Sequence, residues 1–479
     1  MSLLSSYIWK LLERIGVKGV SFVVSIVLAR ILLPEDYGII AIVTVFINLS
    51  NVFVQGGLNT ALIQKKDFDV HDYRVVFGFS IIMSMVLYIL LFIFAPTISE
   101  IYNNMQLISL LRVYSLVLFL CAINSIQVAY LTKKMDFKSV FLASIAAVVV
   151  SGAIGILSAN LGAGAWALLI QQFTYYIVSV IVMQFKLPWL WGFSLSWERG
   201  KQLVSFGWKV LLTNLLSTLF VNIRTLTIGN KYNNDNVAYY SKGKQFPETA
   251  MDVVNGSLQT VLLPAFSNKQ DDVNQINDTI SKTIGIVTYV MFPVMVGLAI
   301  LAEPVTILLL TEKWRGAIQF MQAYCLCYMT MPIQTTFLQA IKSVGRSDSV
   351  LKLYVVFFAL QIISIVIGMQ LGIAYIMIGD LAVNILFIPM CMAVSKKVLN
   401  CQINESVRHI FINLAMSLLM GIPVYIVSIM ISSDLLNIVV STIIGIITYI
   451  LISLVLRNKN FLFCLEQIKK IKRKRVSRE

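Results

Sequence analysis

Long apolar segments recur along the whole chain and are separated by short loops. A helix needs about 20 mostly apolar residues to cross the hydrocarbon core of a bilayer. Segments of this kind are predicted near residues 11–33, 38–62, 75–98, 107–131, 139–160, 163–185, 203–228, 237–265, 280–302, 316–341, 349–369, 373–395, 407–431 and 435–456. Charged residues make up 13% of the 479 residues, against about a quarter in a soluble domain. The sequence predicts an all-α polytopic membrane protein with 14 transmembrane helices.

The positions of the basic residues support this number of spans. With 14 spans, both termini lie on one side of the membrane. If that side is the cytoplasm, 29 of the 38 Lys and Arg residues fall in cytoplasmic segments or at the cytoplasmic ends of spans, and 4 fall in outside loops or at the outer ends of spans. Lys and Arg concentrate on the cytoplasmic side of membrane proteins. The pattern therefore predicts cytoplasmic N- and C-termini, and it loses its alternation if any one span is removed.

The chain carries two similar helix-turn-helix segments. The stretches ARILLPEDYG (29–38) and GGLNTALIQKK (56–66) resemble TIGNKYNNDNVAYY (227–240) and GSLQTVLLPAFSNK (256–269). The repeat also supports the polar span at 237–265, which has the weakest hydropathy. We predict two pseudo-symmetric six-helix lobes at 1–200 and 201–398, followed by an extra helix pair at 399–456. Internal repeats around a central site are typical of transporters.

The last segment, 457–479, is strongly basic. It holds nine Lys or Arg residues against Glu466 and Glu479, which is +7 of the formal net charge of +15. Next to a transmembrane helix, such a tail is typical of binding to anionic lipid rather than to nucleic acid. We therefore expect membrane lipids as partners of the tail and no nucleic acid.

Ionisable side chains inside the spans are the main candidates for function, because they are costly in lipid and usually face a cavity or a partner. Basic candidates are Arg14 and Lys18 on the first span, Lys209 and Arg224 on the seventh, and Lys242 and Lys244 on the eighth. Lys244, Glu248 and Asp252 are spaced i, i+4, i+8 and share one helix face. This row predicts either an ion-pair ladder or a cation beside carboxylates that exchange protons or bind a cation. Arg14 could instead extend to the interface.

Neutral polar residues on the second span allow two interpretations. Asn51 and Gln55 either hydrogen-bond neighbouring helices or line a cavity for a hydroxyl-rich ligand. Arg112 and Asp380 are isolated in-span charges, for which a structural pairing and a role in a transport pathway remain open.

Enzymatic and metal-dependent functions are not supported by the sequence. It has two histidines and no HExxH, G-x-S-x-G or Walker motif, and its loops are too short for a catalytic domain. Cys325 and Cys327 lie on different helix faces and lack a second pair, so the cysteines are predicted to be small buried residues. We expect no catalytic residues, metal or cofactor.

Fourteen spans in two halves, together with the ARILLPEDYG turn and the AYYSKGKQF segment (238–246), resemble polysaccharide transporters. The chain is similar to Wzx-type flippases of the multidrug/oligosaccharidyl-lipid/polysaccharide exporter superfamily. The resemblance implies two lobes around a central cavity in the bacterial cytoplasmic membrane. It also implies transfer of undecaprenyl-diphosphate-linked oligosaccharide units for O-antigen or exopolysaccharide synthesis, driven by an ion gradient or the membrane potential. Lipid-linked oligosaccharide is the implied substrate, and a glycan polymerase complex is an implied partner.

The resemblance also implies roles for particular residues. Related flippases bind the diphosphate with basic residues on the first, second and eighth helices, for which Lys18 and Lys244 are the best matches. The second span has no internal Lys or Arg, so Arg14, Arg224 or Lys209 would have to compensate. Asp252 and Glu248 would couple transport to an ion. Alternatives are a cation-coupled multidrug exporter, a flippase for peptidoglycan or teichuronic-type precursors, and a scaffold that does not transport.

Overall fold

The computed structural model of the protein describes residues 9, 12–55, 57, 59, 62, 69–187, 197–267, 272–458 and 460–462. This part of the chain is helical and contains no β-strand. Its α-helices are α1 (Lys18–Ile31), α2 (Pro34–Gln55), α3 (Val70–Ile101), α4 (Gln106–Tyr114), α5 (Val117–Lys133), α6 (Phe137–Asn160), α7 (Ala165–Gln184), α8 (Trp197–Lys231), α9 (Asn234–Ser267), α10 (Val273–Ile300), α11 (Ala302–Leu310), α12 (Ala317–Ser343), α13 (Ser347–Leu371), α14 (Ile373–Leu399), α15 (Asn404–Met430) and α16 (Asp434–Val455). A π-helical turn, Glu13–Val17, leads into α1.

Eleven helical segments in the described residues are long and apolar enough to cross a membrane, with α4 and α5 counted as one segment. Three other predicted spans are also helical, as α1, α9 and α12. α1 has 14 residues, and at 1.5 Å per residue it is shorter than the hydrocarbon core. α9 carries four charges between Lys242 and Asp252, and α12 carries four glutamines together with Lys342. These polar residues lower the mean hydropathy of both helices without preventing helix formation.

Several helices begin earlier than hydropathy predicts, among them α3 and α8. α3 begins at Val70 because Asp69 and Asp72 form a capping box, in which each carboxylate accepts a hydrogen bond from the other residue's backbone N–H. These bonds satisfy N–H groups that a helix start leaves without partners. α8 begins at Trp197, a residue that the hydropathy pattern assigns to a loop.

The contacts divide the chain into two compact units, Met1–Ala238 and Tyr239–Glu479. In the first unit, α6 packs against α7 and α1, and α2 packs along α8. Gly152 on α6 admits the side chain of Val24 on α1, since a Cβ at this glycine would approach Val24 to 2.6 Å. A buried hydrophobic cluster, in which the Tyr73 and Tyr130 rings contact each other and aliphatic side chains surround them, joins α3 to α5.

In the second unit, α12 is the central helix. It packs against α10 and α14, while α13 packs on α14 and α15 packs on α10 and α16. Its buried aromatic side chains include Phe320 and Phe337, and Trp314 is fully buried in the turn before it. The outer faces of α15 and α16 expose aliphatic side chains such as Leu419, Ile422 and Ile446, as expected of a surface that contacts lipid.

The five cysteines in the described residues are buried and form no disulfide, which confirms their prediction as buried apolar side chains. They are Cys121, Cys325, Cys327, Cys391 and Cys401. Cys464 lies outside the described residues.

Candidate functional site

The row of charges on α9 contains an ion pair. The Lys244 Nζ lies 3.7 Å from Glu248 Oε1, one helical turn away, and the two side chains are 18% and 43% exposed. Asp252, one turn further, is half-buried. The spacing predicted from the sequence therefore brings Lys244 and Glu248 together. A long, partly solvated pair of this kind contributes at most about 1 kcal/mol, so either partner can be exchanged for another ion at low cost.

Lys242 lies on a different face of α9 and is more deeply placed. Its side chain is 5% exposed, and its Nζ donates a hydrogen bond to Gln245 Oε1 at 3.2 Å. Burial of an ammonium group is costly unless polar partners surround it. Lys242 is thus a buried residue of the second unit, whereas the Lys244 side chain is partly exposed.

The first unit holds Arg224 and Asn51 on packed helices. A Cβ at Gly38 of α2 would collide with the backbone of Asn234, and one at Gly229 of α8 would collide with Ile42. These two contacts fix an antiparallel register between α2 and the α8–α9 region. In this register Arg224 lies near the level of Asn48, about one helical turn from Asn51. The Asn51 Oδ1 is buried and accepts no hydrogen bond from the described residues.

The remaining predicted residues are placed as follows. Gln55 is the exposed last residue of α2. Lys18 is exposed at the start of α1, and Arg14 lies in the preceding π-helical turn. Single π-helical turns are rare and occur often at functional sites. Lys209 lies on α8, and the side chains of Arg14 and Lys209 are not among those described.

Asp380, an isolated charge in the sequence, is the centre of a buried hydrogen-bond network. It is 3% exposed and accepts hydrogen bonds from Tyr324 Oη (3.1 Å), Gln361 Nε2 (2.9 Å) and Asn384 Nδ2 (2.9 Å). These donors lie on α12, α13 and α14. The carboxylate therefore ties three helices together, which favours the structural interpretation of this residue. Arg112 donates to the Phe92 carbonyl and lies over the Phe92 ring.

A group of tyrosines that was not predicted from the sequence lies beside this network. Tyr324 packs against Tyr240 of α9 and Tyr328 of α12, with ring centroids 5.7 Å apart in both pairs. Tyr328 is also close enough to Glu248 for an electrostatic interaction. The hydroxyl of Tyr240 is buried and has no hydrogen-bond partner in the described residues. The i, i+4 spacing of Tyr324 and Tyr328 on a glutamine-rich helix could have indicated that the two rings lie on one helix face.

Outside the spans, neighbouring groups stabilise the ionised forms of two charged side chains, Asp272 and Arg315. Hydrogen bonds from Gln275 and the Asn274 backbone lower the pKa of the exposed Asp272 carboxyl, which caps α10. Hydrogen bonds and charge from Glu312 raise the pKa of Arg315. Neither group titrates near neutral pH, so these loop residues provide no proton switch.

The fold and these residues define a multi-pass membrane protein with charged side chains among its helices. The model of a family described as polysaccharide biosynthesis protein matches residues 27–319, and the chain belongs to this family. The membership of a polysaccharide family that the sequence resemblance predicts is thereby confirmed.

Two curated relatives illustrate the family. The chain is 24% identical over 338 residues to the succinoglycan biosynthesis transport protein ExoT of Rhizobium meliloti (strain 1021), covering 71% of this chain and 68% of the relative. It is 22% identical over 385 residues to the lipopolysaccharide biosynthesis protein WzxC of Escherichia coli (strain K12), covering 79% and 77%. With its membrane-spanning helices, this chain is a multi-pass bacterial membrane protein.

One solved structure has a closely similar fold. The lipid II flippase MurJ in an inward closed conformation superposes with a TM-score of 0.74, covering 95% of this chain and 99% of that one at 17% identity. At this identity the likeness shows the fold, and the residues that contact a substrate have to be argued from this chain itself.

Proposed function

We propose that the protein flips undecaprenyl-diphosphate-linked oligosaccharide units across the bacterial cytoplasmic membrane for O-antigen or exopolysaccharide synthesis. The observation that carries the proposal is the Lys244–Glu248 pair on α9, in a chain of the polysaccharide biosynthesis protein family. The names of ExoT and WzxC connect these relatives with transport and biosynthesis of bacterial polysaccharides, which supports the same substrate class for this chain.

The chemistry of the pair suits a diphosphate. A diphosphate carries more negative charge than one carboxylate, and its charge-assisted hydrogen bonds to an ammonium group are stronger than neutral ones. Because the Lys244–Glu248 pair is long and partly solvated, replacing Glu248 by a phosphate oxygen costs little. Lys18, Arg14, Arg224 and Lys209 are the further proposed phosphate ligands, with Asn51 and Gln55 facing the sugar. Lys242 is also a proposed ligand, and it would have to leave its buried position beside Gln245 to reach the phosphate.

The proposed cycle uses an ion gradient or the membrane potential. Glu248 is released from Lys244 when the diphosphate binds, and with Asp252 it becomes able to take up a proton or a metal cation. Its return to Lys244 after release of the substrate completes the exchange. We propose the lobes 1–200 and 201–398 as the moving bodies, with the helix pair 399–456 following the second. Such a movement requires the contacts between α2 and α8 to open.

A substitution series tests this proposal. Lys244→Ala is expected to reduce translocation at least tenfold at equal protein level, because one charge-assisted phosphate contact contributes more than about 1.4 kcal/mol. Lys352→Ala, which removes an exposed lysine from α13, is the matched control and should transport normally. Normal transport by the Lys244→Ala protein would reject the site.

A cation-coupled multidrug exporter is the second candidate. Such a protein needs a buried carboxylate that is open to a cationic ligand. Asp380 is buried, but three donors occupy its oxygens, and Glu248 is next to a lysine. These surroundings favour an anionic substrate over a cationic one.

A further inference from the structure

A cavity of about 550 Å³ lies at one end of the second unit, where α10 and α15 begin and α16 ends. Its charged lining includes Asp278 and Lys282 of α10, Glu405 and Arg408 of α15, and Arg457 after α16. The proposed orientation places this end at the cytoplasmic membrane surface. None of these residues belongs to the proposed transport site, so the cavity requires its own explanation.

The lining leaves two arginines available for an anion. Lys282 Nζ and Asp278 Oδ2 are 2.6 Å apart and neutralise each other. Arg408 and Arg457 are both exposed, and across the described residues neither has a carboxylate oxygen within 4 Å. With Glu405 counted against them, the cavity has an excess of one positive charge and two guanidinium groups that can bind an anion bidentately.

The backbone holds Arg457 at the cavity in a conformation that favours glycine. Its φ is +45°, which disfavours a side chain with a Cβ. The next residue is fixed, because Asn458 Nδ2 donates to Asn413 Oδ1 of α15 (3.3 Å), and Asn413 Nδ2 in turn donates to the Gly285 carbonyl of α10 (2.9 Å). Arginine at this position is therefore less favourable for the backbone conformation than glycine would be, which suggests that its side chain is needed here.

The cavity adjoins surface that faces lipid. Val455, two residues before Arg457, is 81% exposed, and Phe411, three residues after Arg408, is 66% exposed. An anion that binds here with apolar chains attached can place those chains along α15 and α16. A soluble phosphate ester would make no use of this surface.

We propose that this cavity binds the phosphate of an anionic phospholipid of the surrounding membrane, with Arg408 and Arg457 as its ligands. The bound lipid fastens the end of α16 to α10 and α15. This inference does not depend on the proposed transport function, since the ligand is a bulk lipid and the residues are different.

The test is a lipid titration of the full-length protein in detergent, followed by native mass spectrometry. Phosphatidylglycerol should bind wild-type protein more tightly than phosphatidylcholine. The double substitution Arg408→Gln and Arg457→Gln should weaken phosphatidylglycerol binding at least tenfold, because each lost charge-assisted hydrogen bond contributes at least about that factor. Lys396→Gln with Lys397→Gln is the control, since it removes two exposed charges from the end of α14 and should change binding less than twofold.

Further outcomes separate the alternatives. Arg457→Gly should lose lipid affinity without a lower melting temperature, because glycine accepts the positive φ. Equal weakening by both double variants would show a general effect of net charge and overturn the proposal. Displacement of the lipid by an equal concentration of glycerol phosphate would assign the cavity to soluble phosphate esters and would also overturn it.

Discussion

Lys244 and Asp380 keep their charges among apolar helices in two different ways. Lys244 has one carboxylate partner at 3.7 Å and remains 18% exposed. Asp380 is 3% exposed and accepts hydrogen bonds from three side chains on three helices. The single partner of Lys244 is easily replaced by another anion, which suits a binding site. The three donors hold Asp380 in place, which suits a structural role. The spacing on α9 predicted the pairing of Lys244, but the partners of Asp380 come from distant sequence positions and could not be predicted.

Loss of the Asp380 carboxylate should therefore affect stability. Asp380→Ala leaves the Tyr324, Gln361 and Asn384 donors without their acceptor, and we expect a loss on the order of 3 kcal/mol. Thermal unfolding in detergent measures this as a clear fall in melting temperature, whereas Asp348→Ala, at an exposed position on α13, should change little. Unchanged melting of the Asp380→Ala protein would contradict the anchoring role.

At the scale of elements, the two similar turns share a capping function. Before α2, the Leu33 N–H donates to Asp36 Oδ2 at 3.1 Å, and before α9 the Asn236 N–H donates to Asn233 Oδ1 at 3.0 Å. Each bond is one half of a capping box, and Pro34 is the first residue of α2, a favoured position for proline. Most of the helices were predictable from hydropathy. The ends of the helices were less predictable. Caps such as Asp69–Asp72 depend on single side chains, and the π-helical turn Glu13–Val17 depends on local backbone geometry, whereas hydropathy is averaged over many residues.

Gly38 should be intolerant of a larger residue. A Cβ there would collide with the Asn234 carbonyl oxygen, a backbone atom that cannot rotate away. Gly38→Ala should therefore destabilise the protein by about 1–3 kcal/mol through overpacking.

Gly19→Ala on α1 provides a matched control for this substitution. A Cβ at Gly19 meets no atom within 4 Å, and alanine in a helix interior is more favourable than glycine by about 1 kcal/mol. Melting temperatures in detergent should thus fall for Gly38→Ala and stay level or rise for Gly19→Ala. The same response in both variants would contradict the packing of α2 against the start of α9.

At the scale of the whole molecule, family and fold agree with the sequence prediction, while the number of membrane crossings depends on the most polar helices. Eleven segments of the described chain qualify by length and hydropathy. The predicted 14 crossings also require α1, α9 and α12, which the charge alternation of the sequence favours. Hydropathy alone could not assign them, because α1 is short and because α9 and α12 carry polar residues. One of these residues, Gln334, bonds the Asn384 carbonyl of a neighbouring helix.

Single-cysteine labelling tests these crossings in a Cys464→Ser background. Met105→Cys, in the loop after α3, should react with an impermeant maleimide in intact spheroplasts. Asn274→Cys and Ser347→Cys, which follow α9 and α12, should react only after permeabilisation. Background labelling should be low, since the described cysteines are buried and burial raises the pKa of the Cys401 thiol to about 11. Labelling of Asn274→Cys in intact spheroplasts would show that α9 does not cross the membrane.

The most direct test of the proposed function is the leaflet in which lipid-linked glycan resides when this protein is removed. The gene is deleted, and spheroplasts are treated with an impermeant glycan-modifying reagent before and after lysis. The account predicts that undecaprenyl-diphosphate-linked units accumulate and stay protected until lysis, and that the wild-type gene, but not the Lys244→Ala gene, restores their exposure. Normal synthesis and full exposure of the units in the deleted strain would contradict it.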